Sequence, residues 1–263
     1  DKSTIAFSVG FTDTRVQASQ LQVFDKIYVR DYPAVDRLKL MHKNVVYCPD
    51  AAFGLEVNKV NGKKLWKEYF VGRDLYEKRV AVVCNSHLVT GGGEILSRDA
   101  LRFQVFANDL ANIMDHTNAS FMMVPFGCAS PWDDRVANGW VGSQCKWFRK
   151  NVTVYDALSV QNTMDVLGAA DVVVSMRYHA TVFSVLGGVP FLDIYHHDKN
   201  RSFLKTLGLE SWGISYWDFS RERAKEIIDM QLAGGVGESH MVELRDRERG
   251  LLREGVDGIR FNK

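Results

Sequence analysis

The sequence predicts an α/β protein made of two Rossmann-like halves, and three observations lead there. Short apolar runs, among them VVV at 172–174 and FLDI at 191–194, alternate with stretches of helical spacing, the pattern of parallel βαβ units. The run at 172–174 is unbroken and β-branched, as a strand covered on both faces of a sheet is. The alternation is interrupted once, by the polar segment NKVNGKK at 58–64, after which a new strand series begins.

In chain order, residues 4–9 read as a strand, 16–24 as a short helix and 27–29 as a strand. A helix over 34–41 follows, opened by Pro33 at its first position, and a strand over 45–47 closes the series. About three strands precede the polar segment, so the N-terminal half, residues 1–62, reads as incomplete. Residues 63–263 form the second half. Its strands are expected at 80–84, 121–124, 152–155, 172–174, 191–194 and 214–216. Residues 65–76 and 99–116 have helical spacing, the latter with Phe103, Phe106, Leu110 and Ile113 on one face, and helices over 221–232 and 239–254 end the chain. Two such halves joined by a linker make the GT-B type of arrangement.

The 33 basic and 32 acidic residues are interspersed and leave a formal charge of +1, so no global field recommends nucleic acid or an anionic membrane. No apolar run approaches the roughly 18 residues of a membrane span, and the first residues lack the pattern of a signal peptide. Cys48, Cys84, Cys128 and Cys145 are far apart, which suits free thiols in a reducing compartment and favours the cytoplasm. Against this, N-x-S/T acceptors at Asn118, Asn151 and Asn200 keep a Golgi or other secretory lumen as the alternative.

The chemistry is expected between residues 170 and 199. After the strand at 172–174 come Ser175, Arg177 and His179, and a helix follows that Gly187, Gly188 and Pro190 end. In open α/β sheets ligands bind beyond the carboxyl ends of strands, where a helix N-terminus offers free N–H groups. Arg177 and His179 would face an anion there. The plainer alternative is a salt-bridged arginine and a structural histidine. Lys199, just past the next strand, is a further cation for phosphate or carboxylate. Asn85 and Ser86 sit at the end of the first strand of the second half and are expected to contact substrate. The glycine run in LVTGGGE (88–94) fits neither phosphate-loop fingerprint. Arg30, at a strand end of the first half, would reach into the cleft opposite Arg177, and Asp50 is either a cleft carboxylate or the cap of a turn. His196, His197 and Asp198 invite a metal, but adjacent residues leaving a strand point to opposite faces, so none is expected, and no cofactor.

The run DVVVSMRYHA at 171–180, then GGVPFLDIY at 187–195 and Asp198-Lys199, resembles the C-terminal signature of the polysaccharide pyruvyl transferase family, with its R-x-H turn, G-x-P turn and downstream lysine. DKIYVRD at 25–31 and CPDAAF at 48–53 are similar to its earlier segments. The resemblance implies the two-lobed fold, a cleft site, and transfer of pyruvate from phosphoenolpyruvate to a sugar of a glycan or glycan precursor. Arg177 and His179 would be catalytic, with Lys199, Arg30, Ser175, Asn85 and Ser86 binding substrate. Two alternatives stand beside it: a GT-B glycosyltransferase using a nucleotide sugar, and a non-catalytic glycan- or anion-binding relative.

Overall fold

A computed structural model of the protein describes residues 4–10, 17–90, 98–129, 132–234 and 238–260. It contains two wholly parallel sheets. The smaller is β1 (Ile5–Val9), β2 (Lys26–Val29) and β3 (Val45–Tyr47) in that order, with α1 (Ala18–Leu21) and α2 (Tyr32–Lys39) as crossovers. Helix α2 starts and stops two residues earlier than its spacing suggests, because the Asp31 side chain accepts from Ala34 N at 2.8 Å and caps it, leaving Pro33 at the second helical position. A single helical turn, Ala51–Gly54, leads out of the small lobe.

The polar segment at 58–64 is helical. Helix α3 (Lys59–Tyr69) is capped by Asn58, whose side chain accepts from Asn61 N at 3.0 Å. Residue 62, where the junction was expected, lies inside this helix, which packs on the helix Val160–Gly168. Gly62 makes that approach possible: a Cβ there would lie 1.9 Å from the carbonyl oxygen of Asp165.

The large lobe continues with β4 (Arg79–Val83), α4 (His87–Thr90), α5 (Arg98–His116), β5 (Ser120–Met123), α6 (Asp134–Gln144), β6 (Asn151–Thr153), α7 (Val160–Gly168), β7 (Val172–Ser175), α8 (Tyr178–Gly187), β8 (Phe191–Tyr195), α9 (Asp198–Leu207) and β9 (Gly213–Ser215). Helices α10 (Arg221–Leu232) and α11 (Glu238–Arg260) end it. Helix α8 closes as the sequence predicts, with Gly188 in the left-handed region at φ 67°. The glycine run at 91–93 lies outside the described residues. The sheet order is β6-β5-β4-β7-β8-β9, so the chain winds outward from β4 in one direction, then returns to the other side of β4 through β7. Strand residues alternate between two cores. Ala81, Val83, Val173 and Phe191 join one with α7, α8 and α9; Val80, Val82, Val172, Val174 and Leu192 join the other with α5, α6 and α10.

The first of these cores does not stop at the lobe boundary. Tyr28, Cys48 and Phe53 of the small lobe belong to it, together with Met241, Leu244 and Leu252 of α11. Helix α11 also ties down the small lobe by polar contacts. The Tyr47 hydroxyl donates to the buried Glu248 carboxylate, and Arg249 donates to Phe53 O at 3.2 Å and to Leu55 O at 2.6 Å. All four cysteines are free, Cys48 and Cys84 buried and Cys128 and Cys145 half-buried. Of the three N-x-S/T asparagines, Asn118 is exposed, while Asn151 and Asn200 are buried and so closed to modification in the folded chain. Among the described residues no helix is long and apolar enough to cross a membrane.

Candidate functional site

The reversal of strand order puts a crevice at the carboxyl ends of β4 and β7, the place where open α/β sheets bind ligands. A cavity of about 300 Å³ opens there, and three successive strand ends supply its walls: Asn85 and His87 after β4, Arg177 and Tyr178 after β7, and His196, His197, Lys199 and Asn200 after β8, with Trp132 closing one side.

Each wall is held from behind. Arg177 is the N-cap residue of α8. The Ser175 hydroxyl accepts from its backbone N at 3.2 Å and donates to its carbonyl at 2.8 Å, so Ser175 is fully buried and ties the turn. The guanidinium of Arg177 makes a forked pair with Asp134 at the start of α6, Nε donating to Oδ2 at 3.1 Å and Nη2 to Oδ1. Asp134 is itself fully buried and accepts from Ser86 N at 3.0 Å and Gly127 N at 2.9 Å. Ser86 is likewise buried under this network. Ser175 and Ser86, expected to contact substrate, thus shape the loops from below the cavity. Asn85 does reach it: its Oδ1 accepts from His87 N at 3.0 Å and its Nδ2 lies 3.1 Å from His196 Nε2.

The imidazoles of His196 and His197 lie with ring centroids 4.1 Å apart. The expectation that they diverge fails because the strand ends at Tyr195 and His197 is already the N-cap of α9. Among the described residues no group of three histidines, cysteines or acids is placed to hold a metal ion. Burial, then His197, His87, Arg177 and Lys199, pushes the His196 imidazole down to about 3. Burial and then Lys199 lower His197, while burial followed by Arg30 and Arg177 lowers Lys199. Burial is the main cause in all three, and the smaller mutual contributions come from positive groups facing one another, which an anion would relieve. Beneath them Asp193 is fully buried, and burial pushes it up to about 6 although Thr181 and Asn200 donate to it.

Arg177 and His179 do not share this cavity. Arg177 is the extended N-cap of α8 and His179 lies in its first turn, and His179, half-exposed, lines a second, more apolar cavity of about 500 Å³ with Ala52, Leu55, Phe126, Leu158 and Phe183. There its Nε2 lies 3.6 Å from Asp50 Oδ2. The cap reading of Asp50 holds, Oδ1 accepting from Ala52 N at 3.0 Å, and its Oδ2 accepts from Arg30 Nη1 at 2.6 Å. Burial alone would raise the Asp50 carboxyl, but His179, the Ala52 amide and Arg30 hold it down to about 2. Arg30 lies over the Tyr178 ring, 4.3 Å from its centroid, and Lys199 Nζ is 6.0 Å from the same ring. Tyr178 thus touches both Arg30 and the cavity that Arg177 lines, while Arg30 is not among the described lining residues.

The sequence pointed to Arg177, Lys199, Asn85 and His87 in this cavity but missed Asp134, Trp132 and Tyr178, and it weighed His196 and His197 only as metal ligands. Nothing in the spacing near Asp134 and Trp132 marks them, since the partners that tie them to the cavity, Arg177, Ser86 and His87, are more than forty positions away in the chain.

None of the curated proteins matches the chain significantly. Among solved structures, a trehalose-6-phosphate synthase studied with bisubstrate glycomimetics superposes with TM-score 0.55 at 9% identity, covering 92% of this chain and 62% of that one. The E. coli protein bound with UDP-2-fluoro glucose gives 0.54 at 10%, with the same coverages. The glycotransferase of kitacinnamycin gives 0.52 at 12%, covering 90% of this chain and 54% of that one. The chain thus spans between half and two thirds of the length of these structures, and at such identities the likeness concerns the fold, which is of the GT-B type. The sequence profile of polysaccharide pyruvyl transferases matches residues 1–198, and with the R-x-H turn of Arg177 and His179 seated at the lobe junction, the chain belongs to the polysaccharide pyruvyl transferase family, a family of transferases.

Proposed function

We propose that the protein transfers pyruvate from phosphoenolpyruvate to two hydroxyls of a sugar, forming a ketal and releasing inorganic phosphate. One observation carries this reading: the cavity at the reversal of strand order is lined by Arg177, Lys199 and three imidazoles, and none of its described lining residues is acidic. A ligand bearing both a phosphate and a carboxylate suits such a wall.

Protonation of the substrate's methylene carbon develops positive charge at C2, which a sugar hydroxyl attacks. The C2–O bond to phosphate breaks, a second hydroxyl closes the ring, and the two hydroxyl protons balance those gained by the methyl group and the phosphate. Arg177 and Lys199 hold the anionic groups. His179, oriented by Asp50 from the other lobe, is positioned to move a proton to or from the acceptor side. Phe126 and Phe183, beside His179, offer apolar faces for a sugar ring. The four free cysteines suit a cytoplasmic protein.

The test is phosphate release from phosphoenolpyruvate over a panel of hexose glycosides, with calorimetric titration of phosphoenolpyruvate, UDP and GDP alongside. Acceptor-dependent release is expected, with one phosphate per ketal. Tight binding of a nucleotide without binding of phosphoenolpyruvate would replace this reading with glycosyl transfer, and anion binding without release would make the chain a binding protein.

A further inference from the structure

We infer that His196 serves the cavity as a neutral hydrogen-bond donor, its Nδ1–H offered to the bound anion because the Asn85 amide occupies the other ring nitrogen. The inference rests on the anionic-substrate reading above and adds to it a residue with a defined protonation state.

The geometry fixes the tautomer through a chain of two hydrogen bonds. The His87 backbone N–H donates to Asn85 Oδ1 at 3.0 Å, so the Asn85 amide cannot be turned about without facing N–H with N–H. Its NH₂ must then point at His196 Nε2, 3.1 Å away. A donor on that side requires a lone pair on Nε2, which excludes an imidazolium and leaves the ring's one proton on Nδ1. Nδ1 is buried and has no hydrogen-bond partner among the described residues. A buried N–H without an acceptor is costly, and a ligand that supplies the acceptor recovers that cost on binding.

The charged and titratable groups around the ring act in the same direction. His87 from α4, Arg177 from the turn before α8, and His197 and Lys199 from the turn into α9 all oppose a further positive charge. The nearby carboxylates are committed elsewhere or lie beyond: Asp134 is bound to Arg177, and Asp198 begins α9. A neutral imidazole donor stabilises charge on a phosphate or carboxylate oxygen without competing for the proton that the methylene carbon needs. His196 is thereby a binding residue, distinct from His179 across Tyr178.

The experiment uses the full chain with its histidines labelled by ¹⁵N, inorganic phosphate and phosphoenolpyruvate as probes, and His196→Asn and His196→Ala variants. The neutral Nδ1–H form is expected between pH 7.5 and about pH 5, with the Nδ1 proton moving downfield on addition of phosphate and Nε2 staying unprotonated. An Asn side chain places an N–H donor near the Nδ1 position, so His196→Asn should bind both probes nearly as wild type does, while His196→Ala loses about tenfold or more. A charged ring at pH 6, the Nε2–H tautomer, or equal losses in both variants would overturn the inference. A chain that behaves as expected with phosphate but ignores phosphoenolpyruvate would overturn the pyruvyl-transfer reading and leave this one standing. Turnover of phosphoenolpyruvate with an imidazolium at 196 would do the reverse.

Discussion

Asp50 of the small lobe reaches across the lobe junction to within 3.6 Å of His179 Nε2 on the large one, while its other oxygen caps the turn at Ala52. The carboxylate that orients the imidazole is therefore fixed by the backbone of the opposite lobe, and the pair exists only when the lobes are docked.

If this pair moves protons, His179→Ala should reduce turnover by about a hundredfold or more. Asp50→Asn should lower kcat with little change in the KM for phosphoenolpyruvate, because the donor cavity is lined by other residues. Steady-state kinetics on folded variants checks both, and near-normal turnover of His179→Ala would remove it from the mechanism.

Two acid windows should be separable. Asp50 is held at about 2 against an ordinary 3.8, so its stabilising contribution is complete above pH 3.8 and lost as pH falls towards 2. His196 is held at about 3 against 6.5, so the unfolded chain binds the proton more readily and stability falls as pH drops from 6.5 towards 3. Urea midpoints measured against pH should show a flatter limb between pH 6.5 and 4 in His196→Asn, and below pH 4 in Asp50→Asn.

Removing Arg177 leaves the fully buried Asp134 carboxylate without its charge partner. Arg177→Ala should cost about 3–5 kcal/mol of stability, and adding Asp134→Asn should recover part of it without restoring binding of phosphoenolpyruvate. Denaturation and calorimetry on the single and double variants separate the structural from the binding role.

At the helix packing between the lobes, Gly62→Ala drives a methyl group against the Asp165 carbonyl and should cost about 1–3 kcal/mol. The readout is the urea midpoint at unchanged m-value.

The βαβ order and the position of the R-x-H turn were legible because buried parallel strands leave unbroken β-branched runs and glycines end helices. All six strands of the large sheet were visible, Val172–Ser175 in this way and Ser120–Met123, which has no β-branched residue, by its short apolar run. What the sequence hid was direction. Arg177 and His179 are two positions apart, but the first caps α8 and the second lies inside it, so their side chains enter different cavities. The same blindness applied to His196 and His197, where the alternation of a strand was extended two residues past its end. Asp134 and Ser86 depend on contacts between distant segments, which no local pattern encodes. The polar segment at 58–64 read as a linker because its cap, Asn58, and its packing glycine both resemble loop residues.

The apolar cluster that runs from Tyr28 and Cys48 through Phe53 into α8 and α11 leaves the three-stranded sheet with one face that only the larger body can cover. The two lobes are in consequence one thermodynamic unit, expected to melt in a single transition, and excising the first sixty residues would yield an insoluble fragment. The junction is a seam, and the Asp50–His179 approach of 3.6 Å lies along it.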